Sequence, residues 1–232
     1  MEVHECANWR TLRDRWANFS NLDSHIRQQW WFRGSGDANR KLDTTLDRRF
    51  KFGNDEDRNE CVNELLVEFK RELLHVGEDT IIELRGEALE LLARHYGLPS
   101  PLMDWTESPY IASYFVFEDA IRIGSDRACI WALNRARFVP SADTIDFVDD
   151  FELLKFNKRA LHQRGVFLRI STIKDSVINI LDDALLKIVI PSTEAKFALV
   201  DLELMTANAT YLFCGEEGAA RTATMRVDLK RM

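Results

Sequence analysis

The period of the apolar residues changes once along this chain, and that change limits the fold more than any other feature. In the first half the apolar residues recur at helical spacing. Trp9, Leu12, Trp16 and Phe19 form one set, Cys61, Val62, Leu65, Leu66, Phe69 and Leu73 a second, and Ala88, Leu91 and Leu92 a third. Later, short runs of strand type take over: ACIWAL (128–133), GVFLRI (165–170), LLKIVI (185–190) and TATMRV (222–227). Helices first and mostly strands after predicts an α+β fold, with N-terminal helices packed on a mixed, mostly antiparallel sheet rather than a doubly wound parallel one. Helices are expected over 5–19, 57–76, about 85–95 and 194–205, with Pro191 ending the strand before the last of these. QQWWFRG (28–34) reads as a strand ended by glycine, with Trp31 and Arg33 on one face and Trp30 and Phe32 on the other. The polar stretch 35–58 reads as a surface excursion anchored by Leu42–Leu46.

With 46% hydrophobic and 30% charged residues in 232, the chain can bury a full core as a soluble globular protein. No repeat or Gly/Ser linker divides it, so 1–232 is read as one domain. Its net charge of −7 disfavours general affinity for nucleic-acid backbone, leaving a local basic groove as the only route to that partner. The N-terminus carries charges from its second residue, and no apolar run approaches 18 residues, so neither a secretory signal nor a membrane partner is expected. Cys6, Cys61, Cys129 and Cys214 stand far apart without zinc-type spacing. They are read as reduced thiols in a cytoplasmic protein, and no metal site is expected.

The densest chemistry lies in RHYGLPSPLMDWTESPYIASYF, 94–115. Gly97 is placed to stop the preceding helix, and Ser108-Pro109 reads as an N-cap with proline at the first helical position. Ile111, Ala112, Phe115 and Ala120 are expected to face inward. Asp104-Trp105-Thr106 then stands just before a helix N-terminus, where an aspartate caps the helix or backbone N–H groups receive an anion. His95 ends the earlier helix, either as a partner for its dipole or, if the Pro-Ser-Pro turn folds back, as an imidazole oriented by Asp104. Tyr96 and Trp105 are stacking platforms or core aromatics. Arg33, beside Gly34, is a fork for phosphate or carboxylate, or one half of an ion pair. In LHQRGVFL (161–168), Gln163 has the groups to position a ribose but not to act as a base. Arg159 and Arg164 are further ligand-binding candidates, and Glu216-Glu217-Gly218 reads as a solvated acidic turn. No dinucleotide-binding glycine fingerprint, Walker loop, nucleophile elbow, zinc-protease helix or EF-hand is present.

Three motifs fall in one order: W-F-R-G at 31–34, H-Y-G-L-P-x-x-L-M-D-W-T-x-S-P at 95–109 and H-Q-R-G-V-F at 162–167. In this the chain resembles the FRG domain family over about residues 10–225. Leu42 with Arg48 and Arg49 matches the segment that follows the first motif, and Tyr211-Leu212-Phe213 with Gly218 matches a C-terminal strand and turn. Two positions depart from the family pattern. Arg94 stands where glutamine is usual, and Ser100-Pro101 replaces a threonine-arginine pair. The resemblance implies a bacterial or phage-associated protein, with defence or toxin contexts among the family's members. A second, fold-level resemblance is to ADP-ribosyltransferases. It implies NAD as substrate, Arg33 on the pyrophosphate, Thr106 or Ser108 bracing the site, and Gln163 where a catalytic glutamate is usual, with Asp104 as substitute. The resemblances put Arg33, His95, Asp104, Thr106 and Gln163 at the chemistry. Gly34, Tyr96, Trp105, Ser108, Arg159 and Arg164 are placed around the ligand. A nucleotide-using enzyme, a non-catalytic nucleotide or partner sensor, and a metal-independent nuclease using His95 and Asp104 all follow as expectations. A macromolecular acceptor is left unspecified.

Overall fold

The computed structural model describes residues 1–19, 29–76, 84–150 and 158–232. Among these residues seven strands form one sheet: β1 (Glu2–Glu5), β2 (Trp30–Ser35), β3 (Leu102–Thr106), β4 (Arg127–Asn134), β5 (Ile145–Val148), β6 (Gly165–Ile170) and β7 (Leu185–Pro191). Their spatial order is β1-β7-β4-β2-β3-β6-β5. Among these described strands β1 pairs with β7 in parallel and the other five pairs are antiparallel. The α+β fold with a mixed, mostly antiparallel sheet is therefore observed. Among the described residues ten α-helices accompany it: α1 (Trp9–Asn18), α2 (Thr45–Arg49), α3 (Asp55–Val76), α4 (Gly86–His95), α5 (Pro109–Ile123), α6 (Lys158–His162), α7 (Val177–Leu181), α8 (Ala195–Leu204), α9 (Ala209–Phe213) and α10 (Gly215–Arg231).

Strand alternation sorts the core into two layers. Phe32, Ile130, Ala132, Ile188 and Ile190 face α1, α5, α8, α9 and α10, with Trp30 packed against the same cluster. Trp31, Trp131, Leu133, Met103, Trp105, Val166 and Leu168 build the opposite layer, closed by Leu42 and by Val177 and Leu181 of α7. A small third cluster joins Leu91 of α4 to Leu102, Val148, Ala160 and Phe167. The expected placement of Trp31 against Trp30 and Phe32 holds, and Leu42 and Leu46 are buried anchors within their polar segment.

Helix α5 starts as the sequence predicts. The Ser108 side chain accepts from the Ile111 N–H, and Pro109 takes the first helical position. Its buried face carries Ile111, Ala112, Val116 and Ala120 and lies directly on β2. The glycine of the F-R-G motif exists for this packing. A Cβ at Gly34 would meet the Ala112 carbonyl oxygen at 2.6 Å, and one at Gly36 would meet the Ala120 nitrogen at 2.5 Å. Backbone cannot yield as a side-chain tip does. Gly34→Ala is therefore expected to cost about 2–3 kcal/mol as an overpacked contact. That corresponds to a melting temperature lower by about 5–10 °C for a chain of this size, readable by circular dichroism; a variant melting with wild type would refute the close approach.

Four expectations require correction. Residues 222–227 are not a strand but lie inside α10, where Gly218, Thr222, Met225 and Leu229 are buried at helical spacing. The apolar run of Thr, Met and Val imitates a strand only when its neighbours are left out. Tyr211-Leu212-Phe213 forms the end of α9, not a strand. Glu216-Glu217-Gly218 lies in the first turn of α10, not a loop, and Cys214 between the two helices and Gly215 at the start of α10 both take positive φ (56° and 58°). Strands β1, β3 and β5 were not anticipated. β1 is too polar to show a pattern and joins the sheet by backbone pairing to β7, so the helix expected over 5–19 begins only at Trp9.

Candidate functional site

The site begins with a gap in the sheet. β2 pairs with β4 along its whole length, from Trp30↔Asn134 to Ser35↔Cys129. Against β3 it pairs only at Phe32↔Thr106. Beyond that point the two strands part, and Arg33 fills the opening by donating from Nη1 to the Asp104 carbonyl oxygen. Above the gap lies a cleft of about 1120 Å³, bounded by β2, β3, the C-terminal end of α4, and helices α5, α6 and α10.

Asp104 is the centre of this cleft. Its side chain is 45% exposed, and two arginines converge on it. Arg94 donates from Nη2 to Oδ2, and Arg33 Nη1 stands 3.8 Å from the same oxygen. Arg94 comes from the last turn of α4, so that helix supplies the second cation beside Asp104. Burial, with the nearby Arg94, Arg48 and Arg40 cations, pushes Arg33 down from the ordinary arginine range to about 10 against the pull of Asp104. The guanidinium stays charged at neutral pH, and its neighbours leave positive potential over. Six arginines and five carboxylates line the cleft among the described residues, against a net charge of −7 for the chain.

His95 lines the same cleft. Its imidazole is shifted below the ordinary value, first by burial and then by Arg159, against the opposing pull of Glu217 and Asp104. Tyr96, next in sequence, keeps 63% of its surface exposed and contacts His95 and Phe69 edge-on or tilted. Gly97, at φ +90°, ends the helix that delivers Arg94, His95 and Tyr96.

The remaining expected site residues divide by what their side chains already hold. Thr106 is buried, donates to the Gln163 carbonyl and accepts from the Ser108 N–H. Gln163 donates its side-chain amide to the Leu212 carbonyl, so it ties α6 to α9. Both line the cleft, and both act there as braces. Trp105 reaches the wall of the cleft, but its ring is buried in the opposite core layer with Trp31 and Met103. Gly34 and Arg159 line the cleft. Ser108 caps α5 outside the cleft lining, and Arg164, exposed at φ 45°, turns the chain from α6 into β6.

Sequence reading missed the wall that α10 contributes. Glu217 and Arg221 form an i,i+4 pair there, and Arg221 also bonds Glu118 of α5. Their spacing of four is a usable signal only once the segment is read as a helix. Among the described residues, no group of three or more His, Cys, Asp or Glu side chains is placed to hold a metal ion. No helix among them is long and apolar enough to cross a membrane.

The FRG domain family model matches residues 28–123 of this chain. The match runs from β2 through α5 and takes in Arg33, Gly34, His95, Tyr96 and Asp104. Neither a curated protein nor a solved structure matches the chain.

Proposed function

We propose that this FRG-domain chain is a nucleotide-using enzyme whose cleft takes NAD and cleaves its nicotinamide–ribose bond, releasing or transferring ADP-ribose. The observation that carries the reading is the convergence of Arg33 and Arg94 on one half-exposed carboxylate, beside His95 and the exposed Tyr96 ring. The two arginines hold phosphate oxygens, and Tyr96 stacks on a planar ring. Asp104 stabilises the oxocarbenium-like ribose as the C1′–N bond breaks and nicotinamide leaves with the bonding pair. An oxygen nucleophile then bonds C1′, and His95 takes its proton. An activity that consumes NAD suits a toxin or a phage-defence protein.

A second reading, a sensor that binds a nucleotide without turnover, is favoured by one specific observation. Thr106 and Gln163, two of the five residues expected at the chemistry, already have their side chains engaged with backbone groups. One experiment separates the readings: incubation of the purified protein with NAD, with free nicotinamide measured over time. Released nicotinamide supports the enzyme. A thermal shift with NAD but no nicotinamide supports the sensor. Neither signal removes both and leaves nucleic-acid cleavage by His95 and Asp104 to be assayed. If His95 is the base, its depressed pKa sets the pH profile. Activity rises with pH through a value below 6.5, as the imidazole loses its proton, and is level across neutrality. A profile still rising above pH 7 would exclude His95 from that role.

A further inference from the structure

We infer that the cleft contains a second anion seat, built from Arg159 and Arg221 on the ring of Phe213 and occupied by Glu217, which selects ligands carrying two or more phosphate groups. This rests on the nucleotide reading above and adds a substrate class to it. The guanidinium carbons of Arg159 and Arg221 stand 4.2 and 4.0 Å from the Phe213 ring centroid. An aromatic ring steadies a guanidinium but satisfies none of its N–H donors, so those donors need oxygen. Glu118, four-fifths buried on α5, takes Arg221 Nη1 at 3.2 and 3.3 Å. Glu217 serves both cations, at 3.1 Å from Arg221 Nε and 3.6 Å from Arg159 Nη1, while remaining 50% exposed. Ion pairs that wet are weak, and a phosphate offers more oxygens to the same forks.

The arrangement repeats the one at Asp104: two arginines sharing a single half-exposed carboxylate. The two seats belong to one cleft, and the charges of Asp104, Glu217 and Arg159 all act on His95. Both seats and His95 line this one cleft, so a single ligand in it is offered both. One phosphate fills one seat; a diphosphate or bridging pyrophosphate has oxygens for both, and displaces Glu217 when it binds.

The test is calorimetric titration of ADP and AMP into the wild-type protein, Glu217→Gln and Arg221→Ala at low salt, with each variant's melting temperature recorded. Removing the resident carboxylate is expected to tighten ADP about tenfold, and removing the arginine to weaken it about tenfold, sizes typical of one charged hydrogen-bond partner. AMP is expected to change with neither. Arg159→Ala repeats the second measurement if Arg221→Ala does not fold. Equal affinity of wild type for ADP and AMP, unmoved by Glu217→Gln, overturns the second seat and leaves the seat at Asp104 standing. Weaker ADP binding by Glu217→Gln also overturns it, since Glu217 is then a prop and not a competitor. Absence of binding by either nucleotide to every form overturns both this inference and the nucleotide reading.

Discussion

Arg33→Ala is expected to weaken nucleotide binding about 100-fold, the scale of losing charge-assisted hydrogen bonds to an anion, while the fold persists. The reason lies in how Arg33 is held. Its side chain is 21% exposed, and its guanidinium stands where β2 and β3 part and is held by the Asp104 carbonyl. That contact positions the fork without neutralising it, and Arg94 supplies Asp104 with its direct ion pair. Removing Arg33 therefore deletes a cation while Asp104 keeps a partner. The expected stability change is the small one of a lost side-chain hydrogen bond, about 1 kcal/mol, or a melting shift of about 2–4 °C. Arg33→Lys keeps the charge but loses the planar fork and is expected to fall between. Titration calorimetry and a melt on the same samples decide the matter. Wild-type affinity with a large drop in melting temperature would make Arg33 a structural bolt across the strand gap.

Much of this site is legible in the sequence because it is local. Residues 94–109 carry a helix end, a turn and a helix start whose punctuation by Gly97, Pro99, Pro101 and the Ser108-Pro109 cap is set by local backbone chemistry, whereas the short strand β3 between them shows only through its pairing with β6. What was not legible depends on partners distant in sequence. Glu217 and Arg221 become cleft residues only because α9 and α10 fold back over α6, a placement fixed by the Gln163–Leu212 bond and by Gly218, where a Cβ would meet the Ala209 carbonyl at 2.6 Å. The role of Gly34 was hidden for the same reason, since its partner Ala112 is 78 positions away. Likewise Thr106 and Gln163 have the composition of site residues, but their partners are backbone groups that spacing alone does not reveal. Arg94 is the reverse case. It lies ten residues from Asp104 in sequence, and only the fold-back of α4 onto β3 shows that its guanidinium pairs with that carboxylate.

Away from the cleft, Asp47→Ala is expected to destabilise the protein by about 3–5 kcal/mol, the cost of stranding a buried charge. Arg58 of α3 is 1% exposed, and it is satisfied from two sides. Nε and Nη2 donate to the two Asp47 carboxylate oxygens at 2.7 and 3.0 Å, and Nη1 donates to the Ile170 carbonyl of β6 at 2.8 Å. Asp47 also accepts from the Thr44 hydroxyl, so one carboxylate joins α2, α3 and the sheet. Its pKa is held below 3.8: burial raises it, but hydrogen bonds from Arg58 and Thr44 and the Arg58 charge outweigh burial. For a carboxylate lowered in the folded state, the stabilisation is complete above the unfolded value near 3.8 and is lost as pH falls through the lower folded value. Asp55, also lowered, chiefly by the Ile173 N–H, adds to the same limb. The wild-type melting temperature should therefore be level from about pH 5 to neutrality on account of these groups and fall below pH 4. Asp47→Ala should melt about 10–15 °C lower at pH 7 and show a shallower acid limb, because the titrating group is gone. An Asp47→Ala, Arg58→Met double variant recovers part of the loss if the penalty is the stranded guanidinium, and recovers none if Asp47 acts through Thr44 alone.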